Sequence, residues 1–144
     1  MVIRDKDLQR VYHVLLYCAR IRMTVRDIGD YVAFITSENF VQRDACCFYL
    51  LQIGELVRTL SDSFKDAHDD IPWKQIRGLR NMVAHNYGHV DFEIIWSIVQ
   101  DDIPVLFEKL HAILNESVPA FEKSFCDELR QEYPMWDDNA KNTP

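Results

Sequence analysis

The sequence predicts an all-α protein, an up-and-down bundle of four to five helices that pairs as a dimer. Three observations predict it. The chain of 144 residues holds only four Gly and five Pro, too few turn residues for a fold of many short strands. Apolar residues recur at helical intervals over long windows, and no stretch alternates with a period of two. One window, Ala45 to Leu51, is apolar almost all round, which marks a helix covered on more than one side.

The first helix is expected over Asp5 to Ile28. There Leu8, Val11, Leu15, Cys18, Val25 and Ile28 keep a near-heptad rhythm, and Gly29 ends it. A short helical piece follows at Tyr31 to Ile35. The second long helix starts near Asn39, which forms a capping box with Gln42, and runs to about Leu60. Gly54 is costly inside a helix, and close packing against another helix would explain it. The all-round apolar character puts this helix at the centre of the bundle, or against a second subunit as well. Ser61 to Asp70 is polar and reads as a loop or frayed end. Pro72 suits the first turn of a third helix, which carries Trp73, Ile76, Leu79 and Val83 inward. Trp73 reads as core rather than as a binding platform. This helix runs out between Ala84 and Tyr87. Asp91 is the expected N-cap of a fourth helix, Phe92 to Leu114, kinked at Pro104. Its inner stripe is Phe92, Ile95, Val99, Ile103, Leu106, Leu110 and Ile113. A fifth helix is expected over Ser117 to Glu132, before an acidic tail that frays. Residues 1–115 thus form a helical domain, and 116–144 a C-terminal helical extension and tail.

Bulk properties narrow the function. A chain 48% hydrophobic is too apolar for disorder and large enough for a real core. No apolar run reaches the roughly 18 residues of a membrane span, and Met1 to Arg10 lacks an apolar signal core. The expectation is a cytoplasmic protein. Cys18, Cys46, Cys47 and Cys126 form no C-x-x-C pair and read as free thiols, three of them in apolar helical stretches, rather than as a disulfide framework or zinc site. A formal net charge of −7 argues against a broad basic surface for nucleic acid. A small basic cleft is compatible with it, and Lys74, Arg77 and Arg80 fall at helical spacing to form one.

The chemistry concentrates at the end of the third helix, in Arg80-Asn81-Met82-Val83-Ala84-His85-Asn86-Tyr87. Arginine is a permanent cation that grips phosphate with two prongs. Histidine moves protons near neutral pH. Together they are a minimal kit for cutting a phosphodiester without a metal. Asn81 and His85, four apart, share a helix face, whereas Arg80 and His85 stand about 140° apart on an ideal helix. They converge only if the helix end loosens, for which Gly88 is well placed, or if the long arginine bends across. A plainer reading stands beside this one. A histidine at a helix C-terminus is favoured by the dipole, an arginine in a bundle pairs with a carboxylate, and an asparagine caps. His85 and His89 are also four apart, but Gly88 interrupts the helix between them, so no metal site is expected. His13, His68 and His111 read as surface or core-edge residues. No phosphate loop, dinucleotide fingerprint or nucleophile elbow is present.

Arg80-x4-His85-x-Tyr87 resembles the R-x4-H-x-Y motif of the HepT-like proteins, also catalogued as DUF86, within the HEPN superfamily. The resemblance extends to Leu51-Gln52-Ile53-Gly54-Glu55-Leu56-Val57, Ile71-Pro72-Trp73, Arg77-Gly78-Leu79-Arg80-Asn81, Val90-Asp91 and Asp102-Ile103-Pro104, in the family's order. It covers about residues 5–115 and no motif position departs from it. Arg-x4-His alone is weak, but the ordered set is specific. The resemblance implies a dimeric helical bundle with both motifs near the subunit junction. It implies a metal-independent endoribonuclease needing no cofactor, the toxin of a type VII toxin–antitoxin pair. The implied partner is a minimal nucleotidyltransferase that silences the toxin by adenylylating the motif tyrosine, here Tyr87.

The residues suit that chemistry. The RNA 2′-hydroxyl would attack the adjacent phosphate with His85 as general base or acid. Arg80 would stabilise the phosphorane charge, and Asn81 would orient the phosphate or His85. Lys74 and Arg77 would hold the RNA backbone. An adenylyl group on Tyr87 would set bulk and negative charge where phosphate must bind. One His–Arg pair lacks a second proton-transfer group, which a second motif in a dimer would supply. The alternative class is a noncatalytic helical dimer that docks a nucleotidyltransferase or nucleotide without cutting.

Overall fold

The computed structural model describes residues 3–85 and 90–134, with His85 described by its backbone alone. All regular structure among these residues is helical: α1 (Asp5–Ile28), α2 (Tyr31–Ile35), a 3₁₀ turn (Ser37–Asn39), α3 (Phe40–Arg58), α4 (Asp62–Ala67), α5 (Trp73–His85), α6 (Phe92–Ser97), a π turn (Ile98–Asp102), α7 (Ile103–Ser117) and α8 (Phe121–Glu132).

Local chemistry sets these boundaries. α1 stops where Gly29 takes φ +94°, a left-handed value that glycine adopts without strain. Asp30 and Asp91 cap α2 and α6 by accepting hydrogen bonds from backbone N–H groups. Asn39 departs from the expected capping box: its side chain makes no cap bond to α3, and its Nδ2 donates backward to the Ala33 carbonyl at 2.8 Å. The chain enters α3 through the 3₁₀ turn, so the amide serves the preceding helix. Ser61 to Asp70, expected as a loop or frayed end, holds a helix at Asp62–Ala67 followed by turns at 68–70. Ser61 Oγ accepts from Phe64 N–H at 3.2 Å and starts α4, which buries Phe64. Pro72 lies just ahead of α5, its carbonyl accepting from Ile76 N–H at 3.1 Å.

The expected single fourth helix is α6, the π turn and α7 in series. A proline ring clashes with the carbonyl four residues back, and for Pro104 that residue is Gln100, inside the π turn. The irregularity therefore sits before Pro104. α8 begins at Phe121 rather than Ser117, after Ala120 takes a left-handed φ of 57°.

α3 is the central helix, packed chiefly on α5 and α1. Leu50, Ile53 and Val57 are buried on it, facing a core that includes Val11, Leu15 and Cys18 of α1 and Ile76, Leu79 and Val83 of α5. Trp73 is buried, and its indole Nε1 donates to the Lys65 and His68 carbonyls at 3.2 and 2.9 Å, as a core tryptophan should. α8 docks through buried Phe121, Phe125 and Leu129. Tyr12 donates its hydroxyl to Glu128, and burial with that carboxylate pushes the phenol pKa well above its ordinary value. Arg20 Nε donates to the Tyr133 hydroxyl at 2.9 Å while its guanidinium faces the rings of Tyr17 and Tyr133. None of the four cysteines is in a disulfide, and Cys18, Cys46 and Cys126 are buried. No described helix is long and apolar enough to cross a membrane.

The core does not absorb all the apolar surface. Val32, Ile35, Phe40, Val41 and Phe48, on α2 and the first half of α3, stay 44–70% exposed. Seven residues apart, Val41 and Phe48 lie on one face of α3.

Candidate active site

The site is set by how α5 meets α3. Gly54 of α3 faces the α5 backbone so closely that a Cβ there would stand 2.8 Å from Arg80 N and 3.1 Å from Arg80 Cβ. A methyl group does not fit against backbone at that distance. The sequence places glycine here so that α5 can seat directly on α3, with Arg80 at the crossing. This is the close helix packing that the cost of a mid-helix glycine implied.

Arg80 is therefore neither free nor remote. Its Nε pairs with Oε1 of Glu55, the residue after Gly54. Oε2 of the same carboxylate takes Arg58 at 3.3 Å. Arg80 Nη1 makes a long contact, 3.4 Å, to Asn81 Oδ1. The plainer reading of an arginine in a bundle is thus met as well, since a carboxylate partners Arg80. The Arg80 side chain nonetheless remains 43% exposed, open to a ligand.

Lys74, Arg77 and Asn81 are exposed along the outer side of α5, opposite buried Ile76, Leu79 and Val83. Arg58 and Arg80 share one carboxylate, Glu55, and α5 also carries exposed Lys74 and Arg77. His85 ends α5, and its side chain is not described. Tyr87, Gly88 and His89 lie outside the described residues, so the loosened helix end and the Arg80–His85 convergence do as well.

The remaining histidines stand apart from this site. His13 is exposed on α1, and His68 packs on Phe64 at 4.8 Å. His111 sits among Phe107, Phe121 and Phe125. No cluster of three or more His, Cys, Asp or Glu residues suited to a metal occurs among the described residues. An apolar groove of about 460 Å³ lies between α5 and the π turn and α7, lined by Ile71, Gly78, Met82, Ile98, Asp102 and Val105. It includes neither Arg80 nor Asn81. Burial, helped by neighbouring Asp101, raises the Asp102 pKa there.

The sequence singles out Arg80, Asn81, Arg77 and Lys74 as candidates, and it does not single out Glu55, which the structure pairs with Arg80 and Arg58. Glu55 stood in plain view beside Gly54, but nothing in its own helix assigns it a partner on another.

Comparison with known proteins bears on what this arrangement does. A family model described as ribonuclease HepT-like matches residues 14–113. A protein of Methanocaldococcus jannaschii named "Putative RNase" is 33% identical over 84 residues, 58% of this chain and 75% of that protein. A Thermococcus cleftensis protein named "Probable ribonuclease HepT" is 31% identical over 101 residues, 65% of this chain and 92% of its own length. A relative in Caldanaerobacter subterraneus, also named as an RNase, is 38% identical over 64 residues, and the chain spans 57% of it. No solved structure matches the chain.

Proposed function

The chain belongs to the HepT-like family, and from that premise we propose that it is a metal-independent endoribonuclease. The observation that carries the reading is the half-exposed Arg80 guanidinium, fixed where α5 crosses α3, on a helix that also carries exposed Lys74 and Arg77. A phosphodiester needs a cation that stays charged and a donor geometry that fits two oxygens, and arginine supplies both. Asn81 beside it orients the phosphate or His85. His85, five residues on in α5, takes the proton from the 2′-hydroxyl as the oxygen attacks phosphorus. Arg80 then stabilises the charge on the phosphorane, which collapses as the P–O5′ bond breaks, leaving a 2′,3′-cyclic phosphate and a 5′-oxygen that takes up a proton as it departs. Lys74 and Arg77 hold the flanking backbone. This chemistry draws on side chains alone and assigns no role to a metal.

The proposal includes a dimer. The exposed large apolar side chains on α2 and the first half of α3 support it, because such a concentration of apolar surface marks a place for a partner. The same two helices, through buried Phe34 and half-buried Arg43, touch the chain that follows the motif. Phe34 packs on Phe92 and on Trp96, and the Arg43 guanidinium lies 4.7 Å from the Phe92 ring. A second copy docked there brings a second motif close, supplying the further proton-transfer group that one motif lacks. The partner in the cell is a minimal nucleotidyltransferase acting as antitoxin, which adenylylates Tyr87 and so blocks the phosphate site. We assign the protein to the cytoplasm, where its RNA substrate lies.

Cleavage of RNA by the purified protein tests the reading. His85→Ala and Arg80→Ala should each lose about 10²–10⁴-fold in rate with the fold intact, and wild-type activity should persist in EDTA. Variants that cut like wild type would remove the catalytic assignment, and an RNA-inert wild type would favour the noncatalytic docking module. Co-expression with the nucleotidyltransferase should add adenylyl mass to the Tyr87 peptide and suppress cleavage. Tyr87→Phe should leave the nuclease unrestrained, and an adduct elsewhere would overturn this step.

A further inference from the structure

We propose that Glu55 is a positioning residue for Arg80, which presents the terminal amino edge of that guanidinium to phosphate. The inference rests on the nuclease reading above and goes beyond it, to a residue on a different helix.

Two adjacent residues of α3 act on the same arginine. Gly54 lets the Arg80 backbone come within contact of α3. Glu55 then takes Arg80 Nε, the nitrogen nearest the main chain. A guanidinium binds two oxygens in parallel through either its Nε–Nη edge or its Nη1–Nη2 edge. With Nε occupied, the Nη1–Nη2 edge remains. Its one other contact among the described residues is the long one to Asn81 Oδ1, readily exchanged for a phosphate oxygen. A free arginine on a helix surface has many rotamers, and fixing Nε removes most of them before substrate arrives.

The second oxygen of Glu55 explains why a carboxylate suits this place. It takes Arg58, so one anion holds two cations side by side that would otherwise repel. The three groups together keep one net positive charge facing the substrate. Stability is a poor account of the arrangement, because both side chains of the Arg58 pair and both of the Arg80 pair are about a third or more exposed, and such pairs contribute little to folding. Its consequence is geometric.

The test uses the full chain and its Glu55→Ala and Glu55→Gln variants, with Arg80→Lys to assign the Arg80 Nε–H signal in ¹⁵N NMR. Wild type should show a distinct, slowly exchanging Arg80 Nε–H. Glu55→Ala should lose that signal with an unchanged thermal midpoint, and its RNA cleavage should fall about 10²-fold, mainly in kcat. Glu55→Gln keeps an oxygen that accepts from Nε, so it should restore the signal and most of the rate. An Arg80 Nε–H signal unaffected by Glu55→Ala would overturn the proposal, as would Glu55→Gln losing the signal as fully as Glu55→Ala. Failure of the nuclease reading shows separately, as wild type cutting RNA no faster than His85→Ala. The NMR comparison still decides the positioning in that case.

Discussion

Gly54 and Gly78 are both helical glycines, and they face opposite situations. A Cβ at Gly54 meets the Arg80 backbone nitrogen at 2.8 Å, whereas a Cβ at Gly78 meets nothing within 4 Å. Gly54→Ala should therefore push α5 off α3 and cost about 1–3 kcal/mol, as overpacking does. It should also weaken RNA cleavage by moving Arg80. Gly78→Ala should stabilise by about 0.4–1 kcal/mol, since alanine lowers the entropy of the unfolded chain and suits a helix. Urea melts of the two variants check both signs, and equal shifts would contradict the packing account. At this scale the sequence was legible where identity alone carries the chemistry. Arg80, Asn81 and His85 stand out by type and spacing at a helix end. Gly54 was legible as an anomaly, and its cause lies on the facing helix. Glu55 was not legible, because the contact that gives it meaning is made by the crossing of α3 and α5.

The helices themselves were largely readable. The bounds of α1 and α2, the Asp91 cap and the inward stripe of α5 follow from periodicity and capping chemistry. The errors cluster where a long-range contact decides. Ser61 to Asp70 looks like a polar loop until Asp7 is placed against it. Asp7 is buried, accepts from Ser61 N–H at 2.9 Å, and takes the Ser61 hydroxyl on its other oxygen. That pair fixes the start of α4 against the start of α1, and no window around residue 61 contains residue 7. Asp7→Ala should cost about 1–3 kcal/mol by leaving the Ser61 donors without their acceptor, measured as a lowered urea midpoint at constant m-value. The π turn was likewise invisible, because the apolar stripe of Ile95, Val99 and Ile103 runs through it unbroken. The thiols give a second element-level prediction. Burial pushes Cys18 and Cys46 up to about 12 from an ordinary 9.0. The folded chain thus holds these protons more tightly than the unfolded chain. The stability this contributes is present below pH 9 and is lost as pH rises toward 12. At pH 8 a thiol of that pKa is roughly one part in 10⁴ thiolate, so both should resist Ellman's reagent until urea unfolds the protein. Prompt reaction of either in the folded state would contradict the burial.

At the scale of the whole molecule, the question is why a chain of this size leaves large apolar side chains in water. Scattered exposed leucines or valines need no explanation. Here Val32, Ile35, Phe40, Val41 and Phe48 share α2 and the first half of α3, and α3 is already covered by α1 and α5 on its other sides. The same region is held rigid from within. Arg43 Nη1 donates to the Phe34 and Thr36 carbonyls at 3.0 and 3.2 Å while its guanidinium stacks on Phe92. A preformed apolar face loses little entropy on docking, which favours association between two copies. A stable pair needs about 1,200–2,000 Å² of total buried surface, more than these five side chains alone provide, so the polar residues around them are expected to be covered as well. We predict that wild type scatters light as a dimer at micromolar concentration and that Phe48→Glu scatters as a monomer. A buried glutamate without a partner is costly, whereas at a position already half-exposed in the single chain it leaves the subunit folded. If the second motif completes the active site, cleavage by Phe48→Glu should fall with dimer content and recover as protein concentration rises. A monomeric wild type would sink the dimer, and a fully active monomeric Phe48→Glu would show that each subunit cuts with one motif.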